Sequence, residues 1–113
     1  MLTIENLRAY GANVDEGLAR CFNNEEFYLK LVRMLNNEKN FDKLSEALHA
    51  HDLDAAFEAA HALKGVLGNL ALTPAFDKAS EITELLRART EMDYSALLAD
   101  LTEQQRILKE MCE

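Results

Sequence analysis

The chain has 113 residues, 49% of them hydrophobic and 28% charged, which fits one soluble domain around a modest core. Its formal net charge of −8 excludes a sequence-independent nucleic-acid binder, which needs a basic footprint, and opposes docking on anionic lipid. One proline, four glycines and 7% aromatics leave little for the turns of a sandwich or barrel, so the composition points to an all-α protein.

In chain order, the first predicted element is a short helix over Ile4–Tyr10, ended by Gly11. Asp15 is placed to cap a second short helix with Leu18 and Phe22 on one side. In "NNEEFYLKLVRMLNN", an Asn cap precedes two glutamates in a first turn, where the helix dipole favours negative charge. Phe27, Leu31, Met34 and Leu35 then repeat at helical spacing and form one apolar face. Asn36–Asn40 reads as a polar connection, followed by a helix over Phe41–Ala50 with Phe41, Leu44, Ala47 and Leu48 inward. Asp52 caps a central helix that runs to about Leu70. Thr73 and Pro74 read as cap and first residue of the next helix, which carries Ala75, Ala79, Ile82 and Leu86 on one side and ends near Arg89. Asp93 caps the last helix, where Tyr94, Leu97, Leu98, Leu101 and Leu108 repeat. No internal repeat, low-complexity tract or linker interrupts residues 1–113, which read as a single domain. Short connections between helices of this length imply antiparallel neighbours, hence an antiparallel four-helix bundle with short additional N-terminal helices.

Cys21 and Cys112 lack metal-like spacing and read as free thiols in a reducing compartment. The opening "MLTIENLRAY" has neither the basic start nor the apolar run of a secretory leader. No stretch approaches the ~18 apolar residues of a membrane span, so the expected location is cytoplasmic and away from membranes.

The central helix holds the chemically informative stretch, "AHALKGVLGNLALTP" at residues 60–74. Gly65 and Gly68 each weaken a helix by roughly 1 kcal/mol relative to alanine. At about 100° per residue, Ala55, Ala56, Ala59, Leu63, Val66, Leu67 and Leu70 fall opposite His61 and make the core face. Within about 60° of His61 lie Asp54, Phe57, Glu58, Lys64, Gly65 and Gly68. A lone histidine is more often structural than functional. Here it stands on the outer face, beside a lysine and both helix-weakening glycines, with an apolar Phe57 where a solvated face would carry something polar. That combination reads as a docking strip beside a nucleophile. Glycine also permits close helix–helix approach, an explanation that holds for Gly68 more than for Gly65. Neutral imidazole is nucleophilic near neutral pH and can carry a phosphoryl group on a ring nitrogen, with Lys64 one turn on as a partner for the phosphoryl oxygens. The chain has no phosphate-binding glycine loop and no kinase signature, so the phosphoryl group would come from and go to another protein.

The stretch His61-Ala62-Leu63-Lys64-Gly65, followed by Gly68 and Leu70, resembles the H-x-[LI]-K-G signature of histidine-containing phosphotransfer (HPt) domains, and the helices around it extend the resemblance over most of the chain. The resemblance implies a free-standing phosphocarrier without a catalytic site of its own, relaying a phosphoryl group between a hybrid sensor histidine kinase or receiver domain and a receiver aspartate. It implies that the receiver brings Mg²⁺ and the acidic cluster, with no cofactor or metal on this chain. His61 would be the phosphoryl acceptor, Lys64 the nearby cation and Gly65 the side-chain-free docking point. An ungapped reading across the Thr73–Pro74 turn puts Thr83 where some members orient a polar side chain toward the histidine, with Arg87 one turn further on. Docking would thus involve Phe57, Glu58, Gly65, Gly68, Thr83 and Arg87. One departure is Ala71, where many members have glycine ten residues after the histidine.

Two other readings compete. Glu46-x-x-His49 and Glu58-x-x-His61 match the pairs of a di-metal carboxylate bundle. A hairpin turning near Ala50–Asp52 would separate the two histidines by ~12 Å along the axis, too far for one centre, and Glu58 and His61 point away from the core. His49 and His51 then read as polar residues at a helix end. The second alternative is a helical adaptor that binds signalling proteins through the same face without phosphate, which a phosphotransfer assay separates from the relay.

Overall fold

Four helices begin with a side chain folded back onto the backbone: Thr3, Asn13, Asn24 and Asp52 accept from the amides of Asn6, Glu16, Phe27 and Ala55. Each satisfies one of the donors that a helix start leaves unpaired, worth about 1 kcal/mol. The computed structural model describes all 113 residues. It contains α1 (Ile4–Tyr10), α2 (Val14–Arg20), α3 (Glu25–Arg33), a 3₁₀ turn (Met34–Asn37), α4 (Asn40–His49), α5 (Leu53–Asn69), α6 (Thr73–Arg87) and α7 (Ser95–Cys112). The protein is all-helical, and no helix is long and apolar enough to cross a membrane.

Helix α5 packs against α4 on one side and α6 on the other, and α6 against α7. Buried alanines, Ala56, Ala59 and Ala60 of α5 and Ala75 and Ala79 of α6, give the packed faces of the two helices small side chains along the seam with their neighbours. Small side chains let helix axes approach to the short end of the usual 8–10 Å range. Around that seam Leu44, Leu63, Leu67, Ile82, Leu86 and Leu101 are fully buried. The N-terminal segment joins the same core through Leu7, Val14, Tyr28 and Val32.

Several local expectations are corrected. Asn13, not Asp15, caps α2; Asp15 lies in the first turn and pairs with Arg8 at 2.8 Å. Phe22 is 91% exposed, and Phe27 of α3 and Met34 of the 3₁₀ turn are exposed too, while Tyr28 and Val32 face the core. The reason is tertiary: α3 docks by the Tyr28 ring, which lies against bare Gly17 and donates from its hydroxyl to the Leu70 carbonyl at 2.7 Å. Leu72 occupies the cap position of α6, with Thr73 and Pro74 inside its first turn, and the helix ends at Arg87. Ala55 is exposed and Val66 only half-buried, whereas Ala60 joins the core, because α5 is covered on two flanks by α4 and α6. The start of α7 lies at Ser95, whose amide donates to Asp93.

Candidate functional site

Helix α5 presents His61 to solvent midway along its length. One turn earlier Phe57 is half-buried and packs on the core, and its ring lies parallel to the imidazole, with centroids 5.6 Å apart and planes inclined by 12°. The Arg87 guanidinium, from the last turn of α6, sits over the Phe57 ring at 5.0 Å. One turn after the histidine, Lys64 Nζ lies 3.3 Å from Glu84 Oε1, and Arg87 Nε donates to Glu84 Oε2 at 3.1 Å. The Lys64 ammonium and then the Arg87 guanidinium hold the Glu84 carboxyl below the usual carboxylate range. The contacts form a chain from Lys64 through Glu84, Arg87 and Phe57 to His61.

The two glycines differ. A Cβ added at Gly65 would meet nothing within 4 Å, so its bare backbone opens to solvent beside His61. A Cβ at Gly68 would lie 3.0 Å from the Phe76 ring, so Gly68 admits the approach of α6, as expected for it more than for Gly65. A groove of about 610 Å³ runs past His61, Lys64 and Gly65 to Gly68, with Phe76 and Asp77 of α6 as one wall. The other wall is α2 and its cap, through Asn13, Glu16 and Arg20.

The C-terminal end of α5 is finished by groups from the N-terminal segment. Its own last turn carries no basic residue, and the Arg20 guanidinium supplies one by donating to the Gly68 carbonyl. Tyr28 takes the Leu70 carbonyl, and the Asn13 amide takes that of Ala71 at 2.9 Å. Ala71 itself has φ 55°, a left-handed conformation that costs a non-glycine residue roughly 1–2 kcal/mol. This is where the departure from glycine has a physical consequence, in the turn that ends the helix.

His61, Lys64, Gly65, Phe57 and Arg87 therefore gather on one surface, with Glu58 exposed on the same helix. Thr83 does not. It is fully buried, with its hydroxyl donating to the Ala79 carbonyl at 2.6 Å, and cannot meet a partner. The register of α6 against α5 turns Glu84 to that surface instead. Neither Glu84 nor Arg20 was found from sequence, since both reach the site only through the docking of separate helices. His49 ends α4 with its Nδ1 2.7 Å from the Ser45 carbonyl, and His51 lies in the turn before α5. No group of three or more histidine, cysteine or acidic side chains converges as a metal cluster.

No curated protein and no solved structure gives a significant match to this chain. The family model described as "Hpt domain" matches residues 34–113, which span the 3₁₀ turn and all of α4–α7, including His61 and its neighbours. That match covers more than two thirds of the chain, which therefore belongs to the Hpt domain family, the phosphocarrier modules of two-component phosphorelays.

Proposed function

We propose that the protein is an intermediate in a His–Asp phosphorelay that carries a phosphoryl group on His61. In the accepting step a ring nitrogen of the neutral imidazole attacks the phosphorus of a receiver aspartyl phosphate. The nitrogen–phosphorus bond forms as the phosphorus–oxygen bond breaks, and its electron pair returns to the aspartate as carboxylate. The imidazolium product keeps its other N–H or gives that proton to water, and the reverse sequence delivers the phosphoryl group to a receiver. Lys64 partners the phosphoryl oxygens; Mg²⁺ and the acidic cluster come from the receiver, with no cofactor on this chain. Phe57, Glu58, Gly65 and Arg87 form the docking strip, with Gly68 shaping the groove beneath it.

The observation that carries this reading is an exposed histidine whose neighbour, Gly65, leaves open space where any other residue would place a side chain. The short turns at 50–52 and 70–72 further support an antiparallel four-helix bundle of α4–α7, with α1–α3 closing one end and residues 1–113 acting as one unit. A cytoplasmic site of action fits partners of this kind.

The test is phosphorylation of the whole chain by potassium phosphoramidate, followed by transfer to a receiver domain. An acid-labile, base-stable mark should form on His61 and pass to the receiver. His61→Gln should abolish it with helicity unchanged; a mark that persists there, or maps to His49 or His51, overturns the assignment. A chain that binds receivers but never takes the mark is an adaptor.

A further inference from the structure

We propose that Phe57, backed by Arg87, is a positioning residue that holds the His61 imidazole in the orientation needed for attack on phosphorus. The inference rests on His61 being the acceptor and adds to it what orients the ring.

An exposed histidine on a helix is normally mobile. With one χ1 well disfavoured by the preceding turn and two broad wells at χ2, it distributes over about four orientations. His49 is restrained by a hydrogen bond from its own helix, but no hydrogen bond holds the His61 ring. Its restraint is the parallel stack on Phe57. That stack is anchored at both ends, because Phe57 packs on the core and Arg87 covers its ring while tied to Glu84. Aromatic pairs of this geometry and guanidinium–ring contacts each supply about 0.5–1.5 kcal/mol, enough to select one orientation among four.

The geometry of the stack also suits the chemistry. The lone pair that attacks phosphorus lies in the plane of the imidazole. A neighbour in an offset stack, inclined by only 12°, approaches the ring from one face and not along the plane that holds the lone pair. An edge-on aromatic or a hydrogen bond to a ring nitrogen would have restrained the ring by blocking the reacting position. Here the restraint and the reaction use different surfaces of the same ring. Removing the stack should therefore lower the reactive fraction toward an even spread over the four orientations, roughly two- to threefold for a stack of this strength.

Phosphoramidate tests this without a protein partner: its phosphorus–nitrogen bond breaks, ammonia leaves after taking a proton, and the phosphoryl group joins His61. The rate is measured alongside the proton NMR shifts of the His61 ring, which a stacked phenyl displaces. In the wild-type chain the shifts should be displaced. Phe57→Leu, which keeps an apolar group on the core, should abolish the displacement and slow labelling roughly two- to threefold. Phe57→Tyr should restore both. Arg87→Gln, at an exposed position, should reduce both in part and serves if Phe57→Leu does not fold. A Phe57→Leu protein that loses the displacement yet labels at the wild-type rate overturns the positioning role while His61 remains the acceptor. An undisplaced wild-type ring overturns it as well. Labelling that survives His61→Gln removes the acceptor reading itself.

Discussion

Gly65 offers the sharpest separation between what the fold needs and what a partner needs. Its added Cβ would touch nothing within 4 Å, so Gly65→Ala gains helix propensity without a packing cost. The gain should be about 1 kcal/mol, partly through a less flexible unfolded chain. Unfolding entropy near 2.1 cal/mol/K per residue converts 1 kcal/mol into a rise of about 4 °C in Tm for a chain of 113 residues. Gly65→Gln should rise slightly less, because glutamine is nearly as good a helix former and its side chain extends into solvent. Labelling by phosphoramidate should change little in either variant, since a small reagent needs no docking surface. Transfer between Gly65→Gln and a receiver domain should fall by roughly tenfold or more, equivalent to about 1.4 kcal/mol of lost docking or alignment. Thermal melts and the two transfer assays on the same preparations decide the matter. A lowered Tm for Gly65→Gln would refute the outward placement of this backbone. A stable variant with undiminished receiver transfer would refute the docking role.

The other perturbations separate packing from chemistry. Gly68→Ala should gain less stability than Gly65→Ala in the same melts, because its methyl presses on the Phe76 ring at 3.0 Å. Gly17→Ala should destabilise by about 1–3 kcal/mol in urea unfolding, since its Cβ would stand 2.6 Å from a fully buried Tyr28 ring held by the Leu70 carbonyl. Lys64→Ala should slow phosphotransfer roughly tenfold with the fold intact, as one exposed charge–phosphate contact is worth on the order of 1 kcal/mol. The Glu84 carboxyl, depressed by Lys64 and then Arg87, contributes stability that is full above the ordinary glutamate range and is lost as pH falls through its folded value. Glu84→Gln should therefore flatten the acid side of the Tm–pH profile slightly, and an unchanged profile would show that these pairs add nothing to stability.

The features legible in sequence are those set by neighbours within about one helical turn. Asn24 and Asp52 cap the helices they were expected to cap, and Gly11, with φ 111°, ends α1. The period of 3.6 residues turned Leu63 and Leu67 inward and left His61 and Gly65 exposed. Ala75, Ala79, Ile82 and Leu86 likewise share one buried face. The placement of Thr83 could not be reached this way. Whether it or Glu84 turns to the surface that carries Lys64 and His61 depends on the rotation of α6 against α5, across a turn that no local rule measures. Phe27 and Tyr28 are both apolar enough for a core, and only the space over Gly17 and the free Leu70 carbonyl chose the tyrosine. The same holds for Arg20, 48 residues from the carbonyl it caps. Periodicity reports which side of a helix is apolar, whereas contacts between helices arise from shape and unpaired backbone groups that meet only when the chain has folded.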